Sequence, residues 1–164
     1  MDILTQIRIN KFKEIKSLKK IIPLNVLKKR ALELKREIRS LERALEKSRG
    51  MRVMAEIKPK SPSGGELIKG SIDKVAKAYG KSQADAISVL TDRKYFGGEI
   101  GYLNQVNKLT RLPILRKDFI LDQYQVYESY LNEADAILLI VSLLSPSQLA
   151  KLYNLAQSLN MDCL

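Results

Sequence analysis

Histidine and tryptophan are absent from these 164 residues, and there is one cysteine, Cys163. Without histidine, acid–base chemistry falls to Lys, Glu, Asp, Tyr or that cysteine. A histidine-built transition-metal centre is excluded. A single cysteine rules out an internal disulfide framework and fits a reducing cytosol, so a cytoplasmic location is expected. Long apolar runs are missing as well: the longest, Ala136 to Leu144, is broken at Ser142 and is too short to span a bilayer. Residues 1–10 lack the apolar core of a secretory leader. No membrane association is expected.

What is present is charge and aliphatic bulk. Charged residues make up 29% and apolar residues 45%, a balance that suits one soluble domain with a real core. The net charge of +11 is unevenly spread: residues 1–50 hold 15 Lys/Arg against 6 Asp/Glu, and the rest 14 against 12. The excess therefore belongs to a basic leader. No zinc-finger spacing or aromatic RNA-binding motif accompanies it, and no nucleic acid is expected as a partner. A basic nucleic-acid or partner-binding module is the last-ranked alternative.

Residues 1–50 read as a helical extension. Ile3, Ile7, Phe12, Ile15 and Leu18 form one stripe, interrupted before Pro23. Leu24, Leu27, Leu32, Leu34, Ile38, Leu41 and Leu45 continue at helical spacing to Gly50. From Met51 the pattern alternates. Strands are predicted at 52–58, 84–90, 113–116 and 134–141, with a fifth opening at 162–164. Helices are predicted at 71–82, 99–109, 123–132 and 145–159, and a loop at 91–98. Ala-Asp-Ala-Ile occurs at 84–87 and again at 134–137, each time opening a strand. Two β/α pairs in such an interval match the repeat density of a (β/α)8 barrel, which takes roughly 250 residues in full. The fold class is thus α/β, with residues 51–164 as the first four β/α units of a barrel. A doubly wound sheet is the rival, but Ser61–Gly65 lacks its glycine-rich fingerprint.

Candidate chemistry gathers at strand ends. Alternation puts Glu56 and Lys58 on one face of the first strand, and Lys117 inward on the third. Two ammonium groups and one carboxylate make a cationic pocket suited to a phosphate or carboxylate substrate. Ser61 opens a Ser/Pro/Gly loop whose backbone can approach an anion closely. Phe96 and Phe119, just past strand ends, are placed to clamp an apolar or aromatic group. Each also has a plainer reading: Glu56–Lys58 as a structural ion pair, Lys117 as a surface lysine, the phenylalanines as packing, Ser61 as a turn residue.

The stretches AEIKPKSPSGG, SVLTDRKYFGG, LPILRKDFILDQYQVYES and ADAILLIVSLLS, in that order, resemble indole-3-glycerol phosphate synthases. The resemblance implies a (β/α)8 barrel behind a helical extension. It implies a carboxy-lyase of tryptophan biosynthesis that closes the indole ring of 1-(2-carboxyphenylamino)-1-deoxyribulose 5-phosphate with loss of CO2 and water, using no metal or organic cofactor. It assigns Lys117 as general acid, Lys58 as the lysine that positions the substrate, and Glu56 as the carboxylate that orients both. It places Ser61 against the substrate and Phe96 and Phe119 beside its aromatic ring. Tyr95 stands where the family usually has phenylalanine, and Gln83 and Glu133 where it usually has glycine. The family's strand-five glutamate and its phosphate loops fall beyond Leu164. The expected partners are therefore the remaining half of a barrel or other tryptophan-pathway enzymes, and negligible turnover is expected of these residues alone. A barrel aldolase forming a Schiff base at Lys117 is the enzymatic alternative.

Overall fold

The computed structural model describes residues 2–46 and 50–164. The predicted end of the leader helix at 47–49 lies outside them.

Five parallel strands form one sheet: β1 (Met54–Ile57), β4 (Ala86–Leu90), β5 (Ile114–Lys117), β6 (Ala136–Ile137) and β7 (Asp162–Cys163), neighbours in that order. Two short strands, β2 (Lys60–Ser61) and β3 (Gly65–Glu66), pair antiparallel as a hairpin after β1. Each connection between sheet strands is helical. These helices are α4 (Ile72–Gly80), α5 (Arg93–Phe96) with α6 (Gly101–Asn107), α7 (Gln123–Leu131) and α8 (Pro146–Ser158). Side chains explain where they begin. Ser71, Asp92, Asp122 and Ser145 each accept a backbone N–H of the first turn, and Gln125 and Gln148 complete capping boxes at α7 and α8.

Alternation along the strands divides the core in two. Ile57, Ile87, Val89, Ile114 and Ile137 point outward and pack under the helices with Ala76, Leu103, Val106, Val126 and Leu152. Met54, Ala86, Leu115, Ala136 and Leu138 lie on the other face, where Leu41 covers them. The repeated Ala-Asp-Ala-Ile has a structural cause. Asp85 accepts from the Val53 N–H at 2.9 Å and Asp135 from the Ile114 N–H at 2.9 Å, so each aspartate stitches a strand entrance to its neighbour. Arg52 pairs with Asp85 at 3.0 Å, and Arg39 with Asp135 at 2.6 Å.

The leader comprises α1 (Ile3–Ile21), α2 (Leu24–Glu33) and α3 (Leu41–Glu46). Two sequence expectations fail here. The stripe on α1 buries Ile7, Lys11 and Ile15, whereas Ile3 and Phe12 are 49% and 42% exposed. The predicted continuous helix from Leu24 to Leu45 is broken at 34–40, which is non-helical. Tertiary contacts outcompete local propensity over that span. The Tyr130 hydroxyl donates to the Leu34 carbonyl at 3.0 Å, Arg36 pairs with Glu133 at 2.9 Å, and Arg39 reaches the Asn107 side chain at 2.6 Å. Two further corrections are local. The 91–98 loop contains α5, because Asp92 caps it and Gly97 ends it at φ 64°. The strand predicted at 134–141 is regular only at β6, with backbone hydrogen bonds to its neighbours continuing through Leu139, and then turns into a 3-10 segment at Val141–Leu143.

Candidate active site

At the carboxyl ends of β1, β4, β5 and β6 lies a concavity of about 230 Å³. Glu56, Lys58, Leu90, Phe96, Lys117 and Phe119 are among the residues lining it. Glu56 stands in register with Ser88, and Lys117 with Leu90. Parallel pairing puts Glu56 level with Ser88 and Leu115, and Lys117 one inward position further along, so the two side chains lean toward each other over β4.

Glu56 joins the two lysines. Its Oε1 lies 2.9 Å from the Lys58 ammonium, and its Oε2 accepts a hydrogen bond from Lys117. Burial opposes ionisation of Glu56, but these hydrogen bonds and the two positive charges outweigh it and hold the carboxyl below the usual carboxylate range. Asp118 also lines the pocket, but its charge is answered by Lys11 and Arg116, so at Glu56 one carboxylate faces two ammonium groups. Beside it, the half-buried rings of Phe96 and Phe119 face each other with centroids 6.2 Å apart and planes tilted by 35°.

Five of the six sequence-selected residues therefore meet in one pocket. Ser61 does not line it. It sits in the β2–β3 hairpin, where its Oγ accepts from the Gly64 N–H at 2.8 Å. The hairpin folds back over α5: a Cβ on Gly97 would stand 3.0 Å from Cγ of Lys60, so the Lys60 stem crosses that turn closely. Lys60 had no signal of its own beyond its place in the Lys-Pro-Lys-Ser run.

The remaining polar residues at strand ends do something else. Thr91, Asp92, Arg116 and Asp118 are buried beneath the pocket and form one network. Arg116 donates to Thr91 at 3.0 Å, Asp118 at 3.0 Å, Glu128 at 2.9 Å, Ser129 at 3.1 Å and the Gln125 carbonyl at 3.1 Å. Burial alone would raise the Asp118 carboxyl, yet Arg116 and Lys11 pull it down to about 2. Lys11 is the cation that sequence reasoning missed. Its only hint is helical spacing, since Ile7, Lys11 and Ile15 recur every fourth residue.

A parallel sheet wrapped by helices, with a pocket at the carboxyl ends of its strands, defines the protein as an α/β chain consistent with part of a (β/α)8 barrel. Sequence comparison narrows the class. The family model for indole-3-glycerol phosphate synthase matches residues 4–164, and the chain belongs to that family. It is 43% identical to the indole-3-glycerol phosphate synthase of Thermoanaerobacter sp. (strain X514), over 99% of this chain and 61% of that protein. It is 44% identical to the one from Lachnospira eligens, over 94% of this chain and 58% of that protein. Against the Acetivibrio thermocellus protein of the same name it is 50% identical, over 74% of this chain and 47% of that protein. The chain thus spans about three-fifths of the length of the first two relatives. No helix among the described residues is long and apolar enough to cross a membrane.

Proposed function

We propose that these residues serve the indole-3-glycerol phosphate synthase reaction. In it, 1-(2-carboxyphenylamino)-1-deoxyribulose 5-phosphate is converted to indole-3-glycerol phosphate, CO2 and water. Residues 51–164 form the N-terminal half of a (β/α)8 barrel, residues 1–50 are its helical extension, and the partner is the barrel's other half. The observation that carries this reading is the Glu56 carboxylate shared by Lys58 and Lys117 beside the Phe96–Phe119 pair. A pocket that is cationic at one side and aromatic at the other fits a substrate whose benzene ring bears a carboxylate.

The chemistry assigns each group a task. The ring carbon bearing the carboxylate attacks the ketone carbon, and the ketone oxygen must take a proton as its negative charge develops. Lys117 is the general acid for that step, at the end of a rigid strand. Departure of CO2 returns the bonding electrons to the ring, and loss of the new hydroxyl as water completes the indole. Lys58 neutralises the substrate's carboxylate or phosphate, Glu56 holds both ammonium groups in place, and Phe96 and Phe119 flank the aromatic ring. Ser61, in the hairpin after β1, touches the substrate near its carboxylate.

The test uses the substrate with its ketone reduced to an alcohol, which cannot close the ring, followed by the fluorescence of its 2-aminobenzoate group. The chain binds it saturably, and Lys58→Met and Lys117→Met each weaken binding by about tenfold or more. Equal binding by both folded variants and the parent chain would overturn the assignment.

A further inference from the structure

A lysine is buried where no catalytic role needs it. Lys11 lies midway along α1, and its side chain is only 5% exposed. Its ammonium is 2.9 Å from Asp92, 3.0 Å from Asp118 and 2.9 Å from Glu14. Of these, Asp92 and Asp118 are fully enclosed, and among the described residues Asp92 has no ion pair except that with Lys11.

Each of the two aspartates has a second task. Asp92 Oδ1 accepts the Tyr95 N–H at 2.8 Å, capping the single turn α5 whose last residue is Phe96. Asp118 Oδ1 accepts the Phe119 N–H at 2.8 Å. One ammonium on the leader helix therefore ties together the two segments that carry the facing rings. The hydrogen bond of Thr91 to Asp118 at 2.6 Å joins the same segments one residue back, but it leaves the Asp92 charge unanswered. Without Lys11 two buried carboxylates would stand near each other with no shared cation, and their repulsion would act along the line separating α5 from the Phe119 loop.

We propose that Lys11 is a positioning residue: from the leader helix it fixes the gap between Phe96 and Phe119, and thereby the fit of the planar aromatic carboxylate that enters there. The identity of that ligand rests on the function proposed above; the control of the ring gap does not.

The chain has three phenylalanines, Phe12, Phe96 and Phe119. Incorporating 4-fluorophenylalanine therefore gives three 19F resonances, assignable with Phe12→Leu and Phe96→Leu. In Lys11→Met the Phe96 and Phe119 resonances both move, and the Kd for 2-aminobenzoate rises about tenfold. Lys11→Arg restores both resonances and brings the Kd within about threefold of the parent. Should Lys11→Met fail to fold by circular dichroism, Lys11→Met with Asp92→Asn replaces it. That variant removes both charges while asparagine still caps α5, so the tie is lost without the repulsion; both resonances and the Kd are expected to move in the same direction by less, and parent values for all three overturn the proposal. A folded variant that loses thermal stability but leaves the two resonances and the Kd at parent values overturns the proposal. If the parent does not bind 2-aminobenzoate, the resonances alone decide: movement upholds the role of Lys11 while the substrate assignment fails, and no movement overturns it.

Discussion

Glu56 and Lys117 are bonded across a strand that belongs to neither. Glu56 is on β1 and Lys117 on β5, with β4 between them in the sheet, and Ser88 occupies the β4 position in register with Glu56. A small side chain there leaves room above β4 for the carboxylate and ammonium to meet. The pairing also engages the Lys117 nitrogen with a carboxylate, and the proposed role of Lys117 as a proton donor differs testably from attack on a carbonyl.

Borohydride separates those two roles. Reduction in the presence of the ketose phosphate would convert a Schiff base on Lys117 into a stable secondary amine. Peptide mass spectrometry is expected to find the Lys117 peptide unmodified. A reduced adduct at that residue would favour the aldolase mechanism.

Acid stability follows from the buried network. The Asp118 carboxyl titrates at about 2 in the folded chain, below the ordinary aspartate value of about 3.9. A depressed folded-state value means the stabilisation is complete above about pH 4 and is lost as pH falls toward 2. Its size is on the order of 2 kcal/mol. Glu56 shifts in the same direction and adds to the loss. Urea midpoints between pH 2 and 6 should fall steeply for the parent chain. Asp118→Asn should start from a lower midpoint and show a shallower fall; an equally steep curve would place the titration elsewhere.

Gly98 admits no side chain. A Cβ there would stand 2.2 Å from the Leu90 carbonyl oxygen and 2.6 Å from its carbon, both backbone atoms at the end of β4. Gly98→Ala is therefore expected to destabilise the fold by about 3 kcal/mol, at the upper end of overpacking costs. Chemical denaturation measures it, and a loss below about 0.5 kcal/mol, the scale of an ordinary surface change, would contradict the geometry.

Glu133 holds φ at 69°, a left-handed conformation that costs a side-chain-bearing residue on the order of 1 kcal/mol. Its carboxylate repays the strain by pairing with Arg36 at 2.9 Å. Glu133→Gly alone should be close to neutral. In an Arg36→Met background, where the pair is already gone, the same change should stabilise by about 1 kcal/mol. Equal effects in both backgrounds would show that the two contributions are independent.

Much of this was legible because the barrel-like segment is locally consistent. Alternation placed Glu56, Lys58 and Lys117 on the inner face, where they line the pocket, and Arg116 on the outer one, where it is buried; Asp118, expected beside Arg116, pairs with it but also reaches the pocket lining. Cap chemistry likewise located the starts of α4 at Ser71 and α8 at Ser145. The leader was harder. A lysine on an amphipathic helix ordinarily faces water, and nothing near Lys11 in sequence announces carboxylates more than 80 residues away. Residues 34–40 were misjudged for the same reason. Their leucine and isoleucine spacing is helical, but Arg36 and Arg39 are held by Glu133 and Asp135, and those contacts straighten the backbone. Ser61 shows the opposite limit: its loop was found, but motif position alone did not reveal that its hydroxyl is occupied by Gly64.

The floor of the sheet also fixes an order of events. Ser40 donates to Asp162 at 3.0 Å, as does the Glu42 N–H, joining points 122 and 120 residues apart, with Leu41 between them seated under Ala86, Leu115 and Ala136. At ordinary translation speeds of about 5–20 residues per second, roughly 6 to 24 s pass between synthesis of the first partner and the second. Through that interval Leu41 can already meet Ala86, Leu115 and Ala136, but the hydrogen bonds that fix Ser40 and the start of α3 are not yet available. Closing of the leader onto the sheet is thereby timed by a single aspartate far downstream of it.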